Sequence, residues 1–214
     1  MVKGKAVDKW KMKSWYIVYA PEMFEGREIG KVPGTEDKNL ISRVLRVSLA
    51  EITGDLSQSY ASINFRVVSV KGKTAQTKMI GHELSRGYLK TLVRRGRSIV
   101  TIVQDVTTKD NVPIRVKGVI FTARRVSSPV SRAIRAEAHA EVIERSKEMS
   151  FSQMEQEMIF GKFSSRIFNR IKKIAPIKRV EIRKTEVRGA QASQCSTRPS
   201  LGKKSKRQER GTLS

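Results

Sequence analysis

Two pairs of β-rich runs, each closed by a turn only long enough to reverse the chain, constrain this fold more than any other feature. Tyr60 to Val70 and Thr74 to Ile80 are separated by Lys71-Gly72-Lys73. A three-residue link centred on Gly returns the second run antiparallel to the first. Ser98 to Thr107 and Val112 to Thr122 repeat the arrangement around Lys109-Asp110-Asn111. Two further runs precede them. Ser14 to Ala20 is closed by Pro21, and in the second run Val44, Arg46 and Ser48 alternate with Leu45, Val47 and Leu49 before a Thr53-Gly54-Asp55 break. Residues 21–39, carrying Pro21, Gly26, Gly30, Pro33 and Gly34, are predicted as loop. Six strands at this spacing predict an antiparallel barrel or strongly curved sheet.

Helical periodicity appears once within the β region and then dominates. Leu84 to Arg95 places Leu84, Tyr88, Leu89, Leu92 and Val93 on one arc, with Gly96 as a C-terminal stop. Beyond Pro129, Ser131 to Met149, Ser152 to Phe160 and Phe163 to Ile174 keep helical spacing until Pro176, and Ile177 to Val187 reads as a last strand. The predicted class is α+β: an antiparallel β-barrel-like core with one inserted helix, followed by C-terminal helices and a final strand. Its expected divisions are a basic N-terminal arm (1–13), the core (14–130), a helical extension with the terminal strand (131–187) and a basic tail (188–214). The tail, rich in Ser, Arg, Lys, Gln and Gly, is expected to be disordered when unbound.

Charge identifies the kind of partner. The 214 residues carry 44 Lys plus Arg against 20 Asp plus Glu, a formal net charge of +24. The arm supplies +4 and residues 188–214 supply +6, so +14 falls on residues 14–187. A compact chain with that excess repels itself unless a polyanion neutralises it, and nucleic acid is the usual one. The folded surface, not only the ends, is expected to lie against phosphates. No apolar run approaches the roughly 18 residues of a membrane span, and the Lys-rich N-terminus has no apolar stretch before Trp15. No membrane partner and no signal peptide are expected. The lone Cys195 makes no internal disulfide, in keeping with an intracellular protein.

Catalytic patterns are missing. His82 and His139 are far apart and one cysteine completes no zinc site, so neither a metal nor a cofactor is expected. Gly30-Lys31-Val32-Pro33-Gly34-Thr35 lacks the order of a phosphate-binding loop, and His82-Glu83 is read as capping chemistry at a strand-to-helix junction. Trp15, at strand spacing, is read as core. Aromatics make up 6% of residues and do not form the stacking motif of an RNA-recognition sheet. Recognition of folded RNA by shape and backbone fits better than base reading.

Arg86, Lys90 and Arg94 recur every fourth residue, opposite the apolar arc and with no Glu among them after Glu83. The helix from Ser131 is the contrast: Arg132, Arg135, Arg145 and Lys147 share it with Glu137, Glu141, Glu144 and Glu148, which predicts a solvated, salt-bridged face. The expected RNA-facing set comprises Lys3, Lys5, Lys9, Lys11 and Lys13 in the arm, Arg43, Lys71 and Lys73 at the hairpin turn, and Arg86, Lys90, Arg94 and Arg97. It continues with Arg124, Arg125, Arg170, Lys172, Lys173, Lys178 and Arg179, which fall at element ends.

From about Lys9 to Val187 the chain resembles the S-three-a, or S-one e-type, family of archaeal and eukaryotic small-subunit ribosomal proteins. The anchors are Trp15-Tyr16-x-Val18-x-Ala20-Pro21-x-Met23-Phe24, Ile29-Gly30-Lys31, Arg43-Val44-x-x-Val47-Ser48-Leu49-Ala50-Glu51-Ile52 and Gly81-His82-Glu83-Leu84-Ser85-Arg86. Phe121-Thr122-x-x-Arg125 and Ser131-x-Ala133-Ile134-Arg135 extend them. Each piece is short, and their order over most of the chain is what makes the resemblance specific. Arg46 stands where the family commonly has an acidic residue. The resemblance implies a β-barrel-like core on the platform of the small subunit, near the messenger exit and the 3′ end of the small-subunit rRNA. It also implies neighbouring ribosomal proteins and mRNA as partners, a cytoplasmic location in the ribosome, and no enzymatic activity. Two other classes stand beside a structural ribosomal component: an RNA chaperone or assembly factor that binds transiently, and an RNA-modifying enzyme, for which no catalytic constellation is present.

Overall fold

The computed structural model describes residues 10–188. Lys3, Lys5 and Lys9 of the arm, and the tail from Gly189 with its Cys195, lie outside the described residues. Eight strands are joined in one sheet: β1 (Ser14–Tyr19), β2 (Glu28–Gly34), β3 (Val44–Ser48), β4 (Ala61–Lys71), β5 (Thr74–Leu84), β6 (Ile99–Thr107), β7 (Pro113–Thr122) and β8 (Ile177–Val187). Five helices accompany them: α1 (Leu49–Thr53), α2 (Arg86–Leu92), α3 (Ser128–Glu148), α4 (Phe151–Ile159) and α5 (Lys162–Ile171).

Both expected hairpins are present. Lys71 pairs with Thr74 across a turn in which Gly72 adopts a left-handed φ of 59°, and β6 pairs with β7 from Ile99↔Phe121 to Thr107↔Pro113. The sheet runs β2-β1-β5-β8-β7-β6, with β3 and β4 branching from β5. It does not close, which corrects the barrel expectation. Nor is it wholly antiparallel, because β1 lies parallel to the first residues of β5, Ile17 opposite Thr74. β5 meets β8 through the single pair Glu83↔Lys184. That joint connects the two halves of the sheet.

Each half has its own main core, with a small third cluster of Val18, Val67 and Ala75 where β1, β4 and β5 meet, and side-chain periodicity explains the two larger ones. In the larger, Val100, Ile102 and Val106 of β6 and Ile114, Val116 and Ile120 of β7 face three helices. The helices answer with Ile134, Ala138 and Val142 of α3, Met154 and Met158 of α4, and Phe163, Ile167 and Ile171 of α5, all at i+4 spacing. In the smaller, Ala61, Ile63 and Phe65 alternate along β4 and pack with Val47, Leu49, Ile52, Met79 and Leu84. Phe24 meets Phe65 edge to face at 5.9 Å.

Four local expectations are corrected. Glu28–Gly34, inside the expected loop, is strand β2, which takes its hydrogen bonds from β1 alone and so accommodates Pro33 at a sheet edge. The helix expected over Leu84 to Arg95 is shorter: Leu84 ends β5, the helix spans Arg86–Leu92, and Val93 is already extended, so Arg94 is off it and Gly96 is not its cap. His82 and Glu83 belong to β5 and cap nothing; His82 is buried, with Nδ1 3.0 Å from Glu155 Oε2 of α4. Trp15 is 56% exposed, because the register of β1 points Tyr16 and Val18 inward instead. No helix among the described residues is long and apolar enough to cross a membrane.

Candidate nucleic-acid interface

The end of the sheet where β6 begins and β7 ends gathers cations from three connections. Ser98 N donates to Thr122 Oγ1 (2.9 Å), and Ala123 N donates to Pro176 O (2.8 Å), just before β8. Arg94 and Arg97 before β6, Arg124 and Arg125 after β7, and Lys172, Lys173, Lys178 and Arg179 around the start of β8 therefore emerge together. α2 is fixed to the same end. Its Tyr88 donates to Glu181 Oε1 of β8 (3.0 Å), and the Arg179 guanidinium lies 5.7 Å from the Tyr88 ring. Burial and the Glu181 carboxylate push the Tyr88 phenol above its usual range, so it stays a proton donor. Arg86 and Lys90 are exposed on this helix, while Tyr88 and Leu89 turn toward the smaller core.

A second basic group occupies the opposite end of β5. Ile17 N donates to Lys73 O (2.8 Å), so Lys11 and Lys13, just before β1, extend past the turn that carries Lys71 and Lys73. Lys13 Nζ lies 4.3 Å from the Trp10 ring centroid. Arg43 is exposed and donates to Pro33 O at 2.9 Å, opposite Trp15. The expected residues thus form two groups separated by the length of β5, about 35 Å at the usual rise per residue.

Several cations have internal partners. Arg170 is the centre of an ion-pair cluster with Glu137 (2.7 Å), Glu141 (2.9 Å) and Glu144 (2.6 Å) of α3. Donating to Glu144, then to Glu137 and Glu141, raises the proton affinity of its guanidinium, and Arg170 in turn holds the Glu144 carboxyl below the usual range. Arg179 donates to Glu181 at 2.6 Å. Glu83, rather than capping a helix, faces Lys184 (3.6 Å) and Arg46 (3.8 Å), so the basic residue at 46 has an acidic partner across the sheet.

The glutamates of α3 do not dilute all its arginines as the sequence pattern implied. Three of the four converge on Arg170, and Arg132 and Arg135 are exposed with no side-chain partner among the described residues. Both lie in the first turns after Arg124 and Arg125 and continue that basic end; exposed Arg95 adds to it. Sequence reasoning passed over these three. The available signal was the absence of any acidic residue before Glu137 on α3.

Among the described residues no cluster of three or more His, Cys, Asp or Glu could hold a metal ion. Fixed cations at strand ends and turns of an open α/β sheet define a basic scaffold protein, one built to present positive charge. Residues 1–190 match the Ribosomal S3Ae family. The chain is 40% identical over 184 residues, 86% of its length and 88% of the relative's, to the small ribosomal subunit protein eS1 of Saccharolobus islandicus (strain L.S.2.15 / Lassen #1). It is 39% identical over 186 residues, 86% and 89% of the two chains, to the protein of that name from Saccharolobus solfataricus. The chain belongs to the Ribosomal S3Ae family. It is a ribosomal protein of the small subunit, a structural component rather than an enzyme, and its place is the ribosome in the cytoplasm.

Proposed function

We propose that the chain binds small-subunit rRNA through its basic strand ends, contacting phosphates and helix shape, and sits on the platform near the messenger exit beside neighbouring ribosomal proteins and mRNA. The observation that carries the RNA contact is the convergence of Arg94, Arg97, Arg124, Arg125, Lys172, Lys173 and Lys178 at one end of the sheet through the Ser98–Thr122 and Ala123–Pro176 hydrogen bonds. Repulsion among so many like charges on a small rim is unfavourable until an anion is bound. The position on the platform rests on the family resemblance.

Arg170 leaves the contact set, since three carboxylates occupy its guanidinium, and Arg95, Arg132 and Arg135 join it. Lys11, Lys13, Arg43, Lys71 and Lys73 supply a second contact at the far end of β5. A fold with cations at both ends of β5 joins two RNA elements, the arrangement expected of a structural component. Sedimentation of small subunits through sucrose at raised salt tests this. Retention on the subunit is the expected outcome; complete loss into the free fraction, while other structural proteins stay bound, would instead identify a transient RNA chaperone or assembly factor.

A further inference from the structure

Just inside the basic end, α5, the α4–α5 turn, β8 and the residues leading into β4 surround a cavity of about 600 Å³. One part of its wall is apolar and aromatic. Tyr60 and Phe168 contribute rings, and Tyr60 is held in place by stacking on Tyr88 at 4.1 Å between centroids and 17° between planes. The polar part carries side-chain groups whose hydrogen-bonding capacity is not met. Gln58 Oε1 is buried without a partner, although the same amide's Nε2 contacts Asp55. Ser164, only 8% exposed, has no hydrogen-bond partner for its hydroxyl among the described residues. The Asn169 carbonyl accepts from Lys172 Nζ (3.1 Å), and its amide N–H groups donate to nothing among the described residues. Lys178 stands exposed on the lining.

Gln58 Oε1 is the buried, unpaired acceptor of this set, and with the Ser164 hydroxyl and the amide of the exposed Asn169 it offers the edge of a ligand both an acceptor and donors. The rings ask for a planar, polarisable body, and Lys178 for an anion attached to it. One chemical unit meets all three requirements: a nucleobase on a phosphate backbone. We propose that this cavity receives a single unpaired base extruded from the bound RNA, its edge hydrogen-bonded by Gln58, Ser164 and Asn169 and its phosphate beside Lys178. The inference rests on the RNA-binding reading above and adds to it a base-sized pocket contiguous with the phosphate-binding rim.

The test uses the full chain and two RNA hairpins that differ only in one bulged purine, which is replaced by 2-aminopurine for fluorescence. Wild type is expected to bind the bulged hairpin about tenfold more tightly than the fully paired one, the scale of one base stacked on aromatic rings. Its 2-aminopurine emission changes on binding. Ser165 is exposed on α5 and lines the cavity, so Ser165→Phe fills the space without entering the core. Gln58→Leu removes the edge acceptor from a surface turn. Each variant, confirmed folded by circular dichroism, is expected to bind the paired hairpin as wild type does and to lose the preference for the bulge. Equal binding of both hairpins by wild type overturns the pocket while leaving the RNA-binding reading intact. So does retention of the preference by either folded variant. Binding of neither hairpin at low salt overturns both readings.

Discussion

Substituting Gly81 by Ala probes the joint that holds the two halves of the sheet together. Gly81 has a φ of 145° and lies against β8, where an added Cβ would stand 2.2 Å from the Thr185 carbonyl oxygen and 2.8 Å from its carbon. Ordinary non-bonded contacts need about 3.5 Å, so one strand must move by more than 1 Å, and both contacted atoms are backbone. The neighbouring bonds lie within reach of that displacement: His82 N–H to Thr185 Oγ1 at 3.0 Å, and His82 Nδ1 to Glu155 Oε2 at 3.0 Å. A non-glycine residue in this backbone region is destabilised by roughly 1–3 kcal/mol, and each buried hydrogen bond left unmade costs about 1–3 kcal/mol more. Loss of one or two such bonds gives a total of about 2–9 kcal/mol, a large fraction of a typical domain's stability. Gly54→Ala is the control, since Gly54 also has a left-handed φ (79°) but open space around its Cβ position, and about 1–2 kcal/mol is expected there. Urea unfolding of the two variants at constant slope measures the difference. If Gly81→Ala shifts the midpoint no more than Gly54→Ala, the β5–β8 approach is not the tight joint described here.

Three further perturbations separate stability from binding. Arg170→Met removes the hub of the Glu137, Glu141 and Glu144 cluster, and a lower Tm at neutral pH is expected. Because Arg170 depresses the Glu144 carboxyl, its stabilisation is present above the unfolded value of about 4.3 and is lost as pH falls through the lower folded value. The Tm gap to wild type should therefore narrow as pH falls below about 4.3, and a gap independent of pH would refute the electrostatic account. Changing Arg86, Lys90 and Arg94 together to Gln should leave thermal unfolding within about 0.5 kcal/mol of wild type. The same variant should reduce the slope of log affinity against log salt by about 2–3 in filter-binding titrations. Leu89→Ala should do the converse, with a loss of about 1–2 kcal/mol, below the range for a fully buried leucine because Leu89 is only half-buried against the smaller core.

How much was legible in the sequence follows from how local each interaction is. The turns at Gly72 and around Asp110, the alternation along β4 and the i+4 apolar spacing of α3 and α5 reside in consecutive residues, and both hairpins and the three C-terminal helices formed where that pattern put them. The strand at Ile177–Val187 was equally legible as an element. Its insertion between β5 and β7 was not, because pairing across such a separation leaves no periodic trace. β2 was hidden for the same reason: its hydrogen bonds come from β1, and an edge position tolerates the Pro33 and glycines that locally read as loop.

The charge excess on residues 14–187 is a property of composition, so the sequence by itself determined that the folded body, and not only its ends, is strongly basic. Which cations are available to a polyanion was decided only in three dimensions. Arg170 looks as free as Lys172 in sequence, yet it faces three glutamates that lie 26 to 33 residues away along the chain. Arg132 and Arg135 are exposed with no side-chain partner among the described residues, because no acidic residue stands three or four positions from either on α3. Coulomb attraction acts over a few ångströms of space, whatever the separation along the chain. The sign and size of the charge can therefore be counted from residues, whereas its pairing exists only once helices and strands have been packed against one another.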